Sequence, residues 1–176
     1  RPELKERTII VNGVSKTYSM TGWRIGYAAG PADVIGAMNR LQDHSTSNPT
    51  SFTQRASAHA ILGDQTCVEK MRQAFDERRK YMVQRLNSIP GVKCAAPKGA
   101  FYVFPDVSSF YGKKLAGKQV NGSVELANVL LEEFKVAVVP GKPFGDDRCE
   151  RLSYAMSMQD IVKGLDRIEA ALKSMA

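Results

Sequence analysis

The chain has 176 residues, enough to bury the core of one domain or of one and a half. Its 25 lysines and arginines outnumber 18 acidic residues, for a net charge of +7, but they are interleaved with acids and lack aromatic-basic or zinc-ligand spacing. The composition therefore argues against nucleic-acid and metal binding. No apolar run approaches the ~20 residues that a membrane span requires. Three scattered cysteines (Cys67, Cys94 and Cys149) indicate reduced thiols.

The first thirty residues predict two buried strands joined by a glycine-rich bend. Residues 8–11 and 25–29 are apolar runs typical of buried strands. The bend between them carries Lys16 and Arg24, eight positions apart. Residue 31 then begins a helix with apolar side chains at helical spacing, which residues 44–49 interrupt.

Two more helices and a compact α+β domain are expected to follow. The helices span about residues 50–62 and 64–89. Beyond them, strands are predicted at 92–95, 101–105, 136–139 and 151–155, and helices at 123–134 and 158–174. The closing helix carries apolar residues on one face, which we expect to form core. Residues 112–122 (GKKLAGKQVNG) are expected to be a mobile loop.

The bend holds the residues with the most specific chemistry. A lysine at the end of a buried strand is desolvated, and desolvation favours the neutral amine that Schiff-base chemistry needs. An arginine on the same bend offers a fork of donors to a phosphate. An amine nucleophile beside a phosphate clamp is what pyridoxal phosphate requires. The alternative is a surface turn with two solvated charges, against which the apolar flanks and the glycines argue.

Residues 13–27 (GVSKTYSMTGWRIGY) closely resemble the lysine-attachment motif of the class I and II aminotransferases, which are pyridoxal-phosphate enzymes of the aspartate aminotransferase fold. The resemblance covers the whole chain. Within the family, the chain most resembles the bacterial-type aspartate aminotransferase subgroup, which includes prephenate aminotransferases. Its further matching segments are residues 47–51 (SNPTS), 97–102 (PKGAFY), 136–141 (VAVVPG), 144–145 (FG) and 151–155 (RLSYA).

The resemblance implies an α/β fold class, as the C-terminal part of a fold type I pyridoxal-phosphate-dependent transferase. Residues 1–66 would form the end of the large mixed-sheet, cofactor-binding domain. Residues 67–176 would form the interdomain helix and a smaller α+β C-terminal domain. In the family the lysine motif lies past the middle of a far longer subunit, whereas here it lies at residue 16. We therefore expect the chain to lack most of the large domain.

The resemblance also assigns roles to residues of the bend. Lys16 would form the Schiff base with pyridoxal phosphate and then act as the catalytic acid and base. Arg24 would bind the cofactor phosphate. Ser15 would add a hydroxyl contact. Gly13 stands where other relatives carry a phosphate-binding serine, so phosphate binding would depend more on Arg24 and on residues outside this chain. Tyr18 and Trp23 are expected to wedge the bend against the core.

Arg151 is the predicted substrate-binding residue. It enters an apolar strand, and an arginine in such a place needs an anionic partner. By resemblance that partner is the α-carboxylate of the amino acid or the 2-oxo acid. The alternative is a salt bridge within the domain, to Asp146 or Asp147. Arg148 is expected to be solvated.

The resemblance implies a homodimeric aminotransferase that moves an amino group between an amino acid and a 2-oxo acid. Aspartate or glutamate is the expected donor, and prephenate is a further acceptor. The family's cytoplasmic, plastid and mitochondrial compartments all remain open. Two alternatives also remain: a pyridoxal-phosphate-dependent β-lyase, and a truncated, inactive dimerisation or regulatory module. Because the chain would lack half of the cofactor pocket, we expect the fragment alone to be inactive.

Overall fold

The N-terminal apolar runs pair as a short antiparallel ribbon in a computed structural model that describes residues 1–175. Strand β1 (Ile10–Asn12) pairs with β2 (Tyr27–Ala29), with Ile10 opposite Ala29 and Asn12 opposite Tyr27. Glycine closes the bend tightly, because a Cβ on Gly26 would lie 3.2 Å from the Asn12 carbonyl oxygen. The predicted strands are therefore present, at slightly shifted bounds.

The prediction that these strands are buried was wrong for this chain. Ile10 is 58% exposed and Val11 is 76% exposed. A ribbon of two strands has too little neighbouring structure to cover both of its faces. An apolar run specifies which side chains favour burial, but it does not supply the partner that buries them.

Three helices follow the ribbon, as predicted. They are α1 (Ala32–Ser45), α2 (Ser51–Leu62) and α3 (Thr66–Asn87). Gly63 ends α2 and donates its backbone N–H to the His59 carbonyl oxygen at 2.8 Å. The chain divides into two compact units, Arg1–Met71 and a second that starts at Arg72, and α3 contributes residues to both.

The second unit contains a three-stranded antiparallel sheet. Its strands are β3 (Tyr102–Val103), β6 (Val139–Pro140) and β7 (Glu150–Ser153), with β7 in the centre. All four strands predicted for this unit are shorter than expected: 101–105 is strand only at Tyr102–Val103, and 151–155 is replaced by the four residues of β7. Residues 92–95 form only an isolated bridge from Lys93 to Asp106, and the apolar run 136–139 is strand only at its end.

The prediction of a mobile loop at 112–122 was wrong, because much of this segment is a β-hairpin. Strand β4 (Lys113–Leu115) pairs with β5 (Lys118–Val120) through a turn in which Ala116 and Gly117 have φ values of 47° and 79°. Such a left-handed pair suits a two-residue hairpin turn. Leu115 and Val120 are buried and anchor the hairpin to the core.

Two helices cover the apolar side of the second unit. They are α4 (Ser123–Glu132) and α5 (Met158–Lys173), both near their predicted bounds. Ser157 caps α5 by accepting the Asp160 backbone N–H at 3.1 Å. The predicted apolar face of α5 is confirmed as core, at Ile161, Leu165, Ile168 and Leu172. Within residues 1–175 no helix is long and apolar enough to cross a membrane.

Candidate active site

Lys16 lies in a hydrogen-bonded turn that directly follows β1. The backbone N–H of Tyr18 donates to the Val14 carbonyl oxygen at 3.2 Å, and that of Met20 donates to the Ser15 carbonyl oxygen at 3.0 Å. Val14 and Met20 are buried at either end of this turn. Two apolar anchors and two backbone hydrogen bonds therefore hold the lysine in a defined place.

The predicted desolvation of Lys16 does not arise within this chain. Its side chain is solvent exposed, and the neighbouring Ser15 is half-buried. The strand before it is exposed as well, so the residues that would bury the amine are not in the ribbon. The sequence located the lysine correctly on the bend, but its surroundings depend on structure outside the local segment.

Arg24 lies on the same bend in an unusual backbone conformation. Its φ of 51° is in the left-handed region, directly after a short 3-10 turn over Thr21–Trp23. One guanidinium nitrogen, Nη1, donates to the Thr21 carbonyl oxygen at 2.8 Å. Arginine has five N–H donors, so donors remain for an anion. Lys16, Ser15 and Arg24 thus share one bend.

The expectation that Tyr18 and Trp23 wedge the bend against the core was wrong. Trp23 is exposed and meets Phe52 of α2 edge to face, with ring centroids 6.2 Å apart. The Tyr18 hydroxyl donates to Oε1 of Gln65 at 3.0 Å, and the Ser19 hydroxyl lies 3.2 Å from the sulfur of Met71. Polar contacts to the start of α3, within the first unit, therefore position the bend.

Arg151 lies on the central strand of the second unit's sheet and is half-buried. Its guanidinium carbon Cζ is 4.5 Å from the centroid of the Tyr102 ring and 4.7 Å from that of Phe144. Within residues 1–175 no carboxylate is paired with it. A half-buried arginine that lacks a carboxylate partner can accept an anionic ligand.

The alternative of a salt bridge from Arg151 to Asp146 or Asp147 was wrong. The Asp146 carboxylate accepts hydrogen bonds from Nε and Nη2 of Arg148 at 2.9 and 2.7 Å. This pair lowers the pKa of Asp146 to about 2, chiefly through the hydrogen bonds from Arg148. Asp147 accepts the backbone N–H and the hydroxyl of Ser123 at 3.1 and 2.6 Å. Arg148 is exposed, as expected, but it is paired rather than simply solvated.

The neighbour of Arg151 is an unexpected buried acid. Glu150 is 2% exposed, and neither carboxyl oxygen has a hydrogen-bond partner. Burial raises its pKa to about 8, and the negative charge of Asp147 adds to the shift. Around neutral pH, Glu150 is therefore mostly an uncharged acid.

The residues of the bend fit pyridoxal phosphate by the chemistry of their donors. A primary amine, a hydroxyl and a guanidinium are what an aldehyde and a phosphate require. A Cβ on Gly13 would lie 3.2 Å from the Ile25 carbonyl oxygen, so the backbone at the start of the bend is closely packed. Within residues 1–175, His, Cys, Asp and Glu side chains form no cluster suited to a metal ion.

Four residues of the site went unnoticed in the sequence. Gln65 is an ordinary polar residue before a helix, and Glu150 precedes an apolar strand without any mark of its burial. Tyr102 and Phe144 do lie within segments that match the family, but nothing local showed that both rings meet Arg151. Only spatial neighbours reveal these roles.

The chain resembles known aminotransferases along its whole length. It is 52% identical over 171 residues to the aspartate aminotransferase of Streptomyces avermitilis, covering 97% of this chain and 42% of that protein. It is 45% identical over 173 residues to the aspartate/prephenate aminotransferase of Nitrosomonas europaea, with coverages of 97% and 44%. The chain therefore spans less than half the length of these relatives.

Structural similarity leads to the same family. The aspartate aminotransferase of Rhizobium meliloti matches with a TM-score of 0.95 and 44% identity, over 100% of this chain and 44% of that one. The predicted fold class, the C-terminal part of a fold type I α/β transferase, is confirmed by this match. The model of the family described as aminotransferase class I and II matches residues 1–168. The chain belongs to the class I and II aminotransferase family.

Proposed function

We propose that the protein containing this chain is a pyridoxal-phosphate-dependent aminotransferase. The observation that carries the proposal is the bend on which an amine and a guanidinium are held by backbone hydrogen bonds and by buried Val14 and Met20. Arg151, which no carboxylate within residues 1–175 neutralises, adds a site for a substrate carboxylate. Together they would provide a covalent anchor, a phosphate clamp and a substrate clamp.

Each side chain has a separate task in this proposal. The Nζ amine of Lys16 would bind the aldehyde of the cofactor and, once released by substrate, would take the proton from the substrate Cα. Arg24 and the Ser15 hydroxyl would bind the phosphate group. Arg151 would bind the α-carboxylate of amino and 2-oxo acids alike. The cofactor, when bound, supplies an electron sink for the Cα carbanion.

Aspartate or glutamate is the proposed amino donor and 2-oxoglutarate the proposed acceptor. Aspartate is in the names of the S. avermitilis and N. europaea relatives, and prephenate is in that of the latter. We propose prephenate as a further acceptor on that ground. The proposed assembly is a homodimer, as the family resemblance implies.

The chain by itself is proposed to have little activity. Lys16 is exposed, and Ile10 and Val11 beside it are uncovered, so these residues alone do not form a water-excluding pocket. The same exposure is compatible with the alternative of an inactive module. An assay of the full-length protein separates the two, because a module would not form glutamate from aspartate and 2-oxoglutarate. A β-lyase would instead release ammonia without an acceptor.

The direct test is reductive labelling of the full-length protein. It is incubated with pyridoxal phosphate, reduced with borohydride and mapped by peptide mass. We expect one stoichiometric adduct on Lys16 and its loss in Lys16→Arg. Lys114, exposed on β4, provides the matched control, because Lys114→Arg should leave the labelling unchanged. Labelling scattered over many lysines would contradict a preformed site on the bend.

A further inference from the structure

The guanidinium of Arg151 is held by two aromatic rings, whereas two other half-buried arginines of the second unit, Arg79 and Arg85, form ion pairs. Arg79 pairs with Asp76 at 2.7 Å, and Arg85 pairs with Asp166 at 2.7 Å and with Glu169 at 3.0 Å. A carboxylate partner neutralises the charge and occupies N–H donors. The face of an aromatic ring attracts the same charge without accepting those donors. The aromatic contacts therefore hold Arg151 while its N–H groups stay available.

The sheet register brings the first ring to Arg151. Tyr102 of β3 is paired with Ser153 of β7, and Arg151 lies two residues before Ser153 on the same strand. Residues two apart on a strand point to the same face, so Tyr102 and Arg151 form a diagonal cross-strand pair. The distance of 4.5 Å from Cζ to the ring centroid follows from this register.

A tight loop brings the second ring. Phe144 ends a short 3-10 turn after β6, and its backbone N–H donates to the Gly141 carbonyl oxygen at 2.8 Å. A Cβ on Gly141 would collide with the carbonyl oxygens of Asp146 and Cys149, so only glycine lets the loop fold back here. The loop therefore places Phe144 over Arg151.

Core burial does not account for the position of Phe144. Its side chain is 53% exposed, and it makes an edge-to-face contact with Phe104, which is itself exposed. A large ring held at the surface on a glycine-dependent loop, with an unneutralised arginine 4.7 Å from its centroid, is best explained by that arginine.

We propose that Tyr102 and Phe144 are positioning residues that hold the guanidinium of Arg151 ready for the carboxylate of an amino acid or a 2-oxo acid. The proposal rests on the proposed function, in which Arg151 binds that carboxylate. The rings restrict the rotamers of a long, flexible side chain before the ligand arrives. Binding then costs less side-chain entropy. Lysine could not replace Arg151, because it lacks the planar fork that binds a carboxylate at two points.

The first test is a spectroscopic one on the unchanged chain. The Nε–Hε group of Arg151, assigned with Arg151→Lys, should resonate upfield of the other arginines because of the two ring currents. Phe144→Leu and Tyr102→Leu should each remove part of that shift. Phe104→Leu is the matched control, since its ring contacts Phe144 and has no recorded contact with Arg151. A random-coil shift for Arg151 in the unchanged chain would overturn the proposal.

The second test is kinetic, on the full-length protein. Phe144→Leu and Tyr102→Leu should raise KM for aspartate and 2-oxoglutarate together, by roughly 3- to 30-fold, while kcat changes less than about twofold. Phe144→Tyr should have KM values close to those of the unchanged protein, because an aromatic ring is retained. Unchanged KM values in both leucine variants would contradict a positioning role, and so would a fall in kcat alone.

A titration distinguishes failure of this proposal from failure of the proposed function. Succinate is added to the chain while the Arg151 Nε–Hε resonance is followed, with neutral succinamide as the control. A response to succinate that weakens in Phe144→Leu supports the positioning of Arg151 by the rings, even if the full-length protein does not transaminate. A response of equal strength in Phe144→Leu would overturn the positioning role of the rings. It would leave carboxylate binding by Arg151 intact.

Discussion

The hydroxyl of Tyr18 donates a hydrogen bond of 3.0 Å to Oε1 of Gln65, which lies 47 residues further along the chain. The amide nitrogen of Gln65 in turn donates to the carbonyl oxygens of Ala60 and Gly63 at 3.0 and 2.8 Å. Gln65 therefore connects the bend that carries Lys16 to the C-terminal end of α2. The position of the lysine depends on an amide that is remote in sequence.

Removal of the Tyr18 hydroxyl should loosen this bend. A hydrogen bond of this kind contributes about 1 kcal/mol, so Tyr18→Phe should speed hydrogen exchange of the Met20 amide by about fivefold. Tyr27→Phe is the control, because no hydrogen bond of the Tyr27 hydroxyl is recorded within residues 1–175. Equal exchange rates in the unchanged chain and in Tyr18→Phe would show that the Gln65 contact does not hold the bend.

Replacement of Lys16 should abolish transamination in the full-length protein. Lys16→Ala lacks the amine that anchors the cofactor and moves the Cα proton, so kcat should fall by several orders of magnitude. Because the Lys16 side chain is exposed in this chain, the thermal midpoint of unfolding of the chain itself should change little. Near-normal formation of glutamate from aspartate and 2-oxoglutarate would refute the assignment of Lys16.

Arg24 should govern retention of the cofactor more than the chemistry. Charge-assisted hydrogen bonds contribute about 1.5–3 kcal/mol each, so Arg24→Ala should raise the cofactor concentration for half-maximal activity at least tenfold. Arg40→Ala, at an exposed position on α1, should leave that concentration unchanged. If Arg24→Ala has the same requirement as the unchanged protein, the phosphate is bound elsewhere.

Loss of Arg151 should weaken both substrates together. Arg151→Ala removes the group proposed to bind the α-carboxylate that amino and 2-oxo acids share, so KM for each should rise by a similar factor of at least tenfold. Steady-state kinetics with each substrate varied in turn measure the two KM values. A rise for one substrate alone would mean that Arg151 reads a side chain rather than the α-carboxylate.

Glu150 should make the chain less stable as pH rises. Its pKa in the folded chain is about 8, above its ordinary value of 4.5, so the folded state keeps a proton that the unfolded state has already lost. The free energy of unfolding should therefore fall between about pH 4.5 and pH 8, at up to about 1.4 kcal/mol per pH unit, and level off above that. Glu150→Gln should remove this component.

Urea unfolding at several pH values measures the effect of Glu150. Glu77→Gln, which replaces an exposed carboxylate on α3, is the matched control and should retain the pH dependence of the unchanged chain. The charge of Asp147 also acts on Glu150. Identical slopes in Glu150→Gln and the unchanged chain would contradict a neutral buried acid.

Local patterns predicted the helices well and the small strands less well. The spacing of Ile161, Leu165 and Ile168 identified α5 and its buried face, because helical periodicity depends only on neighbours in sequence. The hairpin of β4 and β5 was missed because glycine and lysine dominate its composition. Its stability comes from Leu115 and Val120, which the core buries.

The sequence by itself determined the family, the order of the helices and the placement of Lys16 and Arg24 on one bend, because each depends on residues close together in the chain. Only the tertiary structure decided that Arg151 meets two aromatic rings, that Glu150 is buried without a partner and that Lys16 is exposed. These properties depend on sheet register, on loop closure and on which surfaces find a covering partner. Such long-range contacts leave no periodic pattern in the sequence.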